Sequence, residues 1–199
     1  AQDEFNIETA MRRRTRVAEW ILSAPSFAPP GVVFDYRDCN PHLVAAMIHR
    51  AFGFTIAEII GDRVFRPLGI VDAQWEKDAD GEPYGSHGAW LRPRDLAKVG
   101  ELFRLGGRWH GEQLIPEDWL VEATSFQSDV PKRRAFGYGL LFWVVPSLGG
   151  FSTWGHGGNF TLVVPSRRLL VVLTSMPSAG EEVGSELGDC VALAQTILT

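Results

Sequence analysis

The sequence predicts an α+β fold in which helices lie on one side of a small antiparallel sheet. Apolar residues recur at helical spacing through the first two-thirds of the chain. Near residue 137 the pattern changes to short strand-like runs separated by Pro-, Gly- and Ser-containing turns. A last apolar stripe at helical spacing closes the chain. The expected division is therefore residues 1–136, mostly helical, and residues 137–199, antiparallel strands followed by a C-terminal helix.

Residues 8–23 carry Met11, Val17, Ile21 and Leu22 beside Arg12, Arg13, Arg14 and Arg16, which predicts one helix with a basic, solvated face. Asn40 can cap a second helix with Pro41 at its first position. Val44, Met47, Ile48 and Ala51 would form its buried stripe and Gly53 its stop. Thr55 and Glu58 have the spacing of a capping box opening a helix over residues 56–65, which Pro67 ends. Residues 68–91 read as irregular. Pro93 then opens a helix with Leu96, Val99 and Phe103 on one side, ending at Gly106-Gly107, and residues 116–124 make a further short helix. Residues 138–145, 152–155, 159–164 and 169–175 read as strands of a meander. The closing helix, residues 181–198, would pack Val183, Leu187, Val191, Ala194 and Leu198.

Composition excludes several function classes. The 199 residues hold 19 Lys and Arg against 24 Asp and Glu, a net charge of −5, which argues against wholesale nucleic-acid binding. Hydrophobic residues are 45% and charged residues 22%, the ordinary mix of a chain with a real core. The longest apolar runs, residues 140–145 and 169–173, are far short of the roughly 18 residues of a membrane span. Cys39 and Cys190 are too few for a disulfide framework, though their pairing stays open, and Cys39 reads as a small buried residue. The N-terminal residues carry no signal pattern, which fits a cytoplasmic protein, a mature periplasmic or secreted one, or a chain that starts late.

No metal or organic cofactor is expected. His42 and His49 share a helix face, but seven residues of helix separate them by roughly 10 Å, too far to share one zinc. The run Asp78-Ala79-Asp80-Gly81-Glu82 lacks the ligand spacing of a calcium loop and reads as an acidic turn. Dinucleotide and Walker phosphate loops and the Gly-x-Ser-x-Gly elbow are absent.

Four segments remain: Pro30 through Asp38, containing Tyr36 and Asp38; Arg66-Pro67-Leu68-Gly69-Ile70; Arg94 through Gly100; and Trp154-Gly155-His156-Gly157-Gly158. In this order and spacing they resemble the serine β-lactamase and penicillin-binding-protein superfamily, particularly its class C β-lactamase-like, esterase and 6-aminohexanoate-oligomer-hydrolase-like branch. The resemblance implies a β-lactamase-like α+β fold and acyl transfer to a serine. It places Tyr36 at the tyrosine of the family's Tyr-x-Asn motif and His156-Gly157-Gly158 at the third motif. It makes the backbone N–H of Asn159 half of an oxyanion hole.

The departures are specific. Asp38 stands where the family usually has Asn, and a carboxylate cannot donate to a substrate carbonyl as an amide can. No Ser-x-x-Lys is present, since Lys77, Lys98 and Lys132 follow Gln74, Asp95 and Asp129 at the required spacing. The expectation is a C-terminal portion of a serine hydrolase of esters or amides. The alternatives are a non-catalytic ligand-binding relative and a fragment that pairs with a separate N-terminal half. Tyr36 is the expected base and acid, His156 its electrostatic partner, and Trp90, Trp143 and Trp154 either line an acyl pocket or pack the core.

Overall fold

In the computed structural model, which describes residues 7–26, 28–131, 133–175 and 186–199, the chain packs as two units, residues 1–91 and 92–199. The change of period near 137 thus marks where the longer strands lie rather than a packing boundary.

The single helix expected over residues 8–23 is two, α1 (Ile7–Arg12) and α2 (Val17–Ser23), with Arg16 left-handed at φ 51 between them. In one continuous helix Met11 and Val17 would face about 120° apart. The break lets both be buried in one cluster with Cys39 and Tyr84.

Helix α3 (Cys39–Phe52) starts before the predicted Asn40 cap, with Asp38 at the N-cap. Pro41 is then the third helical residue, where an N–H has no intrahelical acceptor anyway. Gly53 ends the helix as expected, left-handed at φ 73 and donating to the His49 carbonyl. Its buried face is not the predicted one. Cys39, His42 and Ala45 are buried, whereas Val44, Met47 and Ala51 are exposed and Ile48 is half-buried.

The Thr55–Glu58 capping box forms as read and opens α4 (Ile56–Ile60), which widens into a π-helical turn, Gly61–Phe65. Pro67 follows and cannot donate to a continuing α-helical ladder. The stretch read as irregular contains a short antiparallel pair, β1 (Gln74–Trp75) and β2 (Ala89–Trp90), closed by an acidic loop.

In the second unit, α5 (Pro93–Arg104) has Pro at its first position, as predicted, and is followed by the small hairpin of β3 (Arg108–Trp109) and β4 (Glu112–Gln113). Gly107 is required there. Its φ is 79, and a Cβ would lie 2.1 Å from the Ile115 carbonyl oxygen. Helix α6 (Glu117–Thr124) leads to the six-stranded antiparallel sheet.

The sheet comprises β5 (Ser128–Asp129), β6 (Gly137–Tyr138), β7 (Trp143–Val145), β8 (Gly150–Gly155), β9 (Asn159–Val164) and β10 (Leu169–Leu173), paired in chain order. The single strand predicted over residues 138–145 is therefore split. Gly139 turns away from the ladder, where a Cβ would meet the Ala123 carbonyl oxygen at 2.2 Å, and Leu141 is left-handed at φ 67.

Helix α5 lies flush on β9 and β10, because Gly100 brings its backbone against Thr161 and Leu170. On the other face of β9, Phe160, Leu162 and Val164 are at most 1% exposed. Both faces of β9 are thus covered, in keeping with an antiparallel sheet flanked by helices. Burial of each such side chain contributes roughly 1.5–3 kcal/mol. Helix α7 (Leu187–Leu198) also packs on β9 and β10, burying Leu187, Val191 and Ala194 as predicted. Leu198 is half-buried and Glu186 is the N-cap, while residues 181–185 of the predicted closing helix, Val183 among them, lie outside the described residues, as does Lys132. Among the described residues no single helix is long and apolar enough to cross a membrane.

Candidate functional site

The expected site residues fall in both units. Tyr36 and Asp38 belong to the first; Trp154, His156, Gly157, Gly158 and Asn159 belong to the second.

Tyr36 sits in the irregular segment that runs into α3 and is 51% exposed. Partial burial, and then the negative charge of Asp38, push its phenol above its ordinary pKa. Both causes favour the protonated form. Within this unit Tyr36 is therefore a neutral phenol at neutral pH, a proton donor, and it becomes a base only when positive charge is brought to it. The neighbouring Arg37 does not supply that charge, since its guanidinium donates to Asp35 at 2.5 Å. Asp38 caps no amide through its side chain.

Below this segment lies an arrangement that sequence reasoning missed. The acidic run, extended back to Glu76, is a strap whose alternate carboxylates each meet a different partner, on α1, on α3 or in the turn between α1 and α2. Glu76 pairs with Arg12 at 3.0 Å, Asp78 faces His42 at 3.4 Å, Asp80 accepts from the Arg16 backbone N–H, and Glu82 meets His49. Asp78 Oδ1 also accepts from the backbone N–H groups of Asp80 and Glu82, both at 2.9 Å, which fixes the turn. His42 is 1% exposed and lies 5.4 Å from the Tyr84 ring, which in turn stacks on His87 at 4.4 Å. Desolvation lowers the His42 pKa, with Asp78 and Glu82 opposing it. The signal in the sequence was the period itself: carboxylates at every second residue, and histidines seven apart on one helix. Among the described residues no cluster of His, Cys, Asp and Glu is arranged to hold a metal ion.

In the second unit the β8–β9 connection has the geometry its glycines imply. Gly157 and Gly158 have φ of 80 and 92, a region closed to most side chains, and Gly158 donates to the Gly155 carbonyl at 3.3 Å. His156 stands exposed at the tip. Asn159 opens β9, and its side-chain amide donates to the His156 carbonyl at 2.8 Å while its oxygen accepts from the Ser175 N–H at 3.3 Å. Trp154 is half-buried in an aromatic row, 4.9 Å from Trp143 and 5.8 Å from Phe160. The Arg133 guanidinium lies 4.1 Å over the Trp154 ring and donates to Glu186 at 2.7 Å. Trp143 is 7% exposed and is core; Trp90 is exposed and donates to Glu76 at 3.2 Å. Cys39 and Cys190 are both free and buried.

Comparison with known proteins matches the model of the beta-lactamase family to residues 2–189. An uncharacterized protein of Alkalihalophilus pseudofirmus is 24% identical over 201 residues, covering 85% of this chain and 60% of the relative. Among solved structures, a Bacillus anthracis protein provisionally named a 6-aminohexanoate-dimer hydrolase superposes with a TM-score of 0.77 at 22% identity, covering 89% of this chain and 46% of its own. A protein of Bacteroides dorei provisionally named a beta-lactamase gives a TM-score of 0.68 at 17% identity, covering 96% and 65%. The chain thus spans about half to two-thirds of the length of the relatives it matches.

Proposed function

Because the chain belongs to the beta-lactamase family, we propose that it is the C-terminal portion of a serine hydrolase that cleaves an ester or amide through an acyl-enzyme. The observation that carries this reading is the ordered set of segments around Tyr36, Leu68-Gly69, Asp95 and His156 within a chain that the family model matches almost end to end.

In this reaction a serine hydroxyl attacks the substrate carbonyl, its proton passes to a base, and the leaving atom receives a proton as the acyl-enzyme forms. Tyr36 fills the acid role as it stands, a neutral phenol at the exposed entry to α3. To act as base it needs a cation. His156 in its protonated form, and the lysine of the family's nucleophile motif, are the candidates. The N–H of Asn159 is proposed to face the developing oxyanion, with Gly157 and Gly158 keeping side chains out of the substrate's approach. Trp154 borders the acyl group. No Ser-x-x-Lys occurs in these 199 residues, so the nucleophile belongs to polypeptide outside them.

That same absence favours a second reading, a non-catalytic ligand-binding relative or a fragment that pairs with a separate N-terminal half. Intact mass before and after exposure to a fluorophosphonate separates them. A species heavier than 22.0 kDa, or a second chain, that gains one label supports the hydrolase. A lone 22.0 kDa chain that takes no label rejects catalysis by this molecule and leaves the binding reading.

A further inference from the structure

Tyr36 is three residues from Cys39, the first residue of α3, and its ring is half exposed, so burial of the ring fixes its place only in part. A further constraint is the backbone that leads into the helix. The first turn of α3 is held from three directions. The Cys39 side chain is buried with Met11, Val17 and Tyr84. Gly85 lies so near the turn that a Cβ there would be 2.1 Å from the Pro41 carbonyl oxygen and 3.0 Å from the His42 Cα. The His42 ring, fully buried, faces Asp78 at 3.4 Å, and neither ring nitrogen makes a hydrogen bond of good geometry. A buried imidazole with unmet donors and acceptors costs free energy and is retained here against an ionisable partner. Leu or Met would fill this space at no such cost.

We propose that His42, through its contact with Asp78 of the acidic strap, is a positioning residue for the Tyr36-Arg37-Asp38 segment. The contact joins the strap to the helix turn that continues into this segment. Asp78 suits the role because its other oxygen already holds the Asp80 and Glu82 amides, so the carboxylate facing His42 is itself fixed. The Asn40 N–H bond to the Arg37 carbonyl, 3.2 Å, carries the constraint backward along the chain. The catalytic meaning of this placement rests on the hydrolase reading; the placement itself does not.

The test uses this chain and no enzymatic readout, so a failed hydrolase reading cannot be mistaken for a failed positioning role. The sequence has three tyrosines, Tyr36, Tyr84 and Tyr138. Labelling with 3-fluorotyrosine therefore gives three fluorine resonances, assigned by Tyr36→Phe and Tyr84→Phe. In His42→Leu the Tyr36 resonance is expected to move or broaden, the Leu43 and Val44 amides to exchange on the order of tenfold faster, and Tyr138 to stay unchanged. His42→Gln, whose amide nitrogen can stand where Nε2 does, is expected to restore the wild-type Tyr36 signal. Leu102→Ala, a core truncation in the other unit, lowers stability and is expected to leave that signal in place. If His42→Leu does not fold, the isosteric Asp78→Asn carries the same test. An unmoved Tyr36 resonance with unchanged exchange in the folded variants overturns the proposal, as does equal movement in Leu102→Ala.

Discussion

The side-chain amide of Asn159 donates to the carbonyl oxygen of His156 at 2.8 Å, closing the β8–β9 turn from inside, while its oxygen receives the Ser175 N–H at 3.3 Å. One side chain thus anchors the β8–β9 turn to the chain just beyond β10. Asn159→Asp keeps the acceptor but replaces the donor with a carboxylate facing a carbonyl. The expected loss is about 1–3 kcal/mol, read as a lower urea midpoint at unchanged slope. Under the proposed hydrolase reading, kcat would fall more than KM rises, because the Asn159 N–H proposed to face the oxyanion would be displaced. A midpoint equal to wild type would remove Asn159 from this role.

The phenol of Tyr36 is raised first by partial burial and then by Asp38. Asp38→Asn removes the second cause. Absorbance titration near 295 nm should show the Tyr36 step, identified by its loss in Tyr36→Phe, moving to lower pH. An unchanged step would mean that Asp38 does not act on the phenol.

Burial pushes the Cys190 thiol up to about 11 from its ordinary 9.0. The folded value lies above the unfolded one, so this group's stabilisation is fully present below pH 9 and is lost as pH rises toward 11. Its size is about 2–3 kcal/mol. Stability measured from pH 8 to pH 11 should fall less steeply in Cys190→Ala, and the native thiol should react slowly with disulfide reagents at neutral pH. Parallel profiles for the two proteins would contradict this.

Gly85 tolerates no side chain, because the atoms a Cβ would strike belong to the backbone of Pro41 and His42. Gly85→Ala should therefore cost about 1–3 kcal/mol or more. Gly53→Ala is a useful contrast. Nothing lies within 4 Å of its added Cβ, so only the left-handed backbone opposes it, at about 1–2 kcal/mol. Comparable thermal midpoints for wild type and Gly85→Ala would mean the strap can move off α3.

What was legible in the sequence was local chemistry. Thr55 and Glu58 cap each other across three residues, and Gly53 stops α3 by its own φ, so no distant partner is needed to predict either. The buried face of α3 was misread because His42 counts as polar in any periodicity, yet it is buried against Asp78, 36 positions along the chain. Once that face turns inward, Val44 and Met47 must turn outward. The glycines at 157 and 158 announced a special backbone, and they have one. The strap's alternating carboxylates are visible in the sequence but their partners are not, because each lies remote along the chain. The split of residues 138–145 depended on Gly139 lying against Ala123, a contact no alternation of residue types encodes.

The sheet's neighbour order is its chain order, from β5 to β10. Among the described strands none waits for a partner made much later, so each pairing closes a short loop at small entropic cost and this sheet can assemble strand by strand. The newest strand is always the growing edge. The slower event in this unit should be the docking of α7, which reaches β9 and β10 only after all six strands have been synthesised.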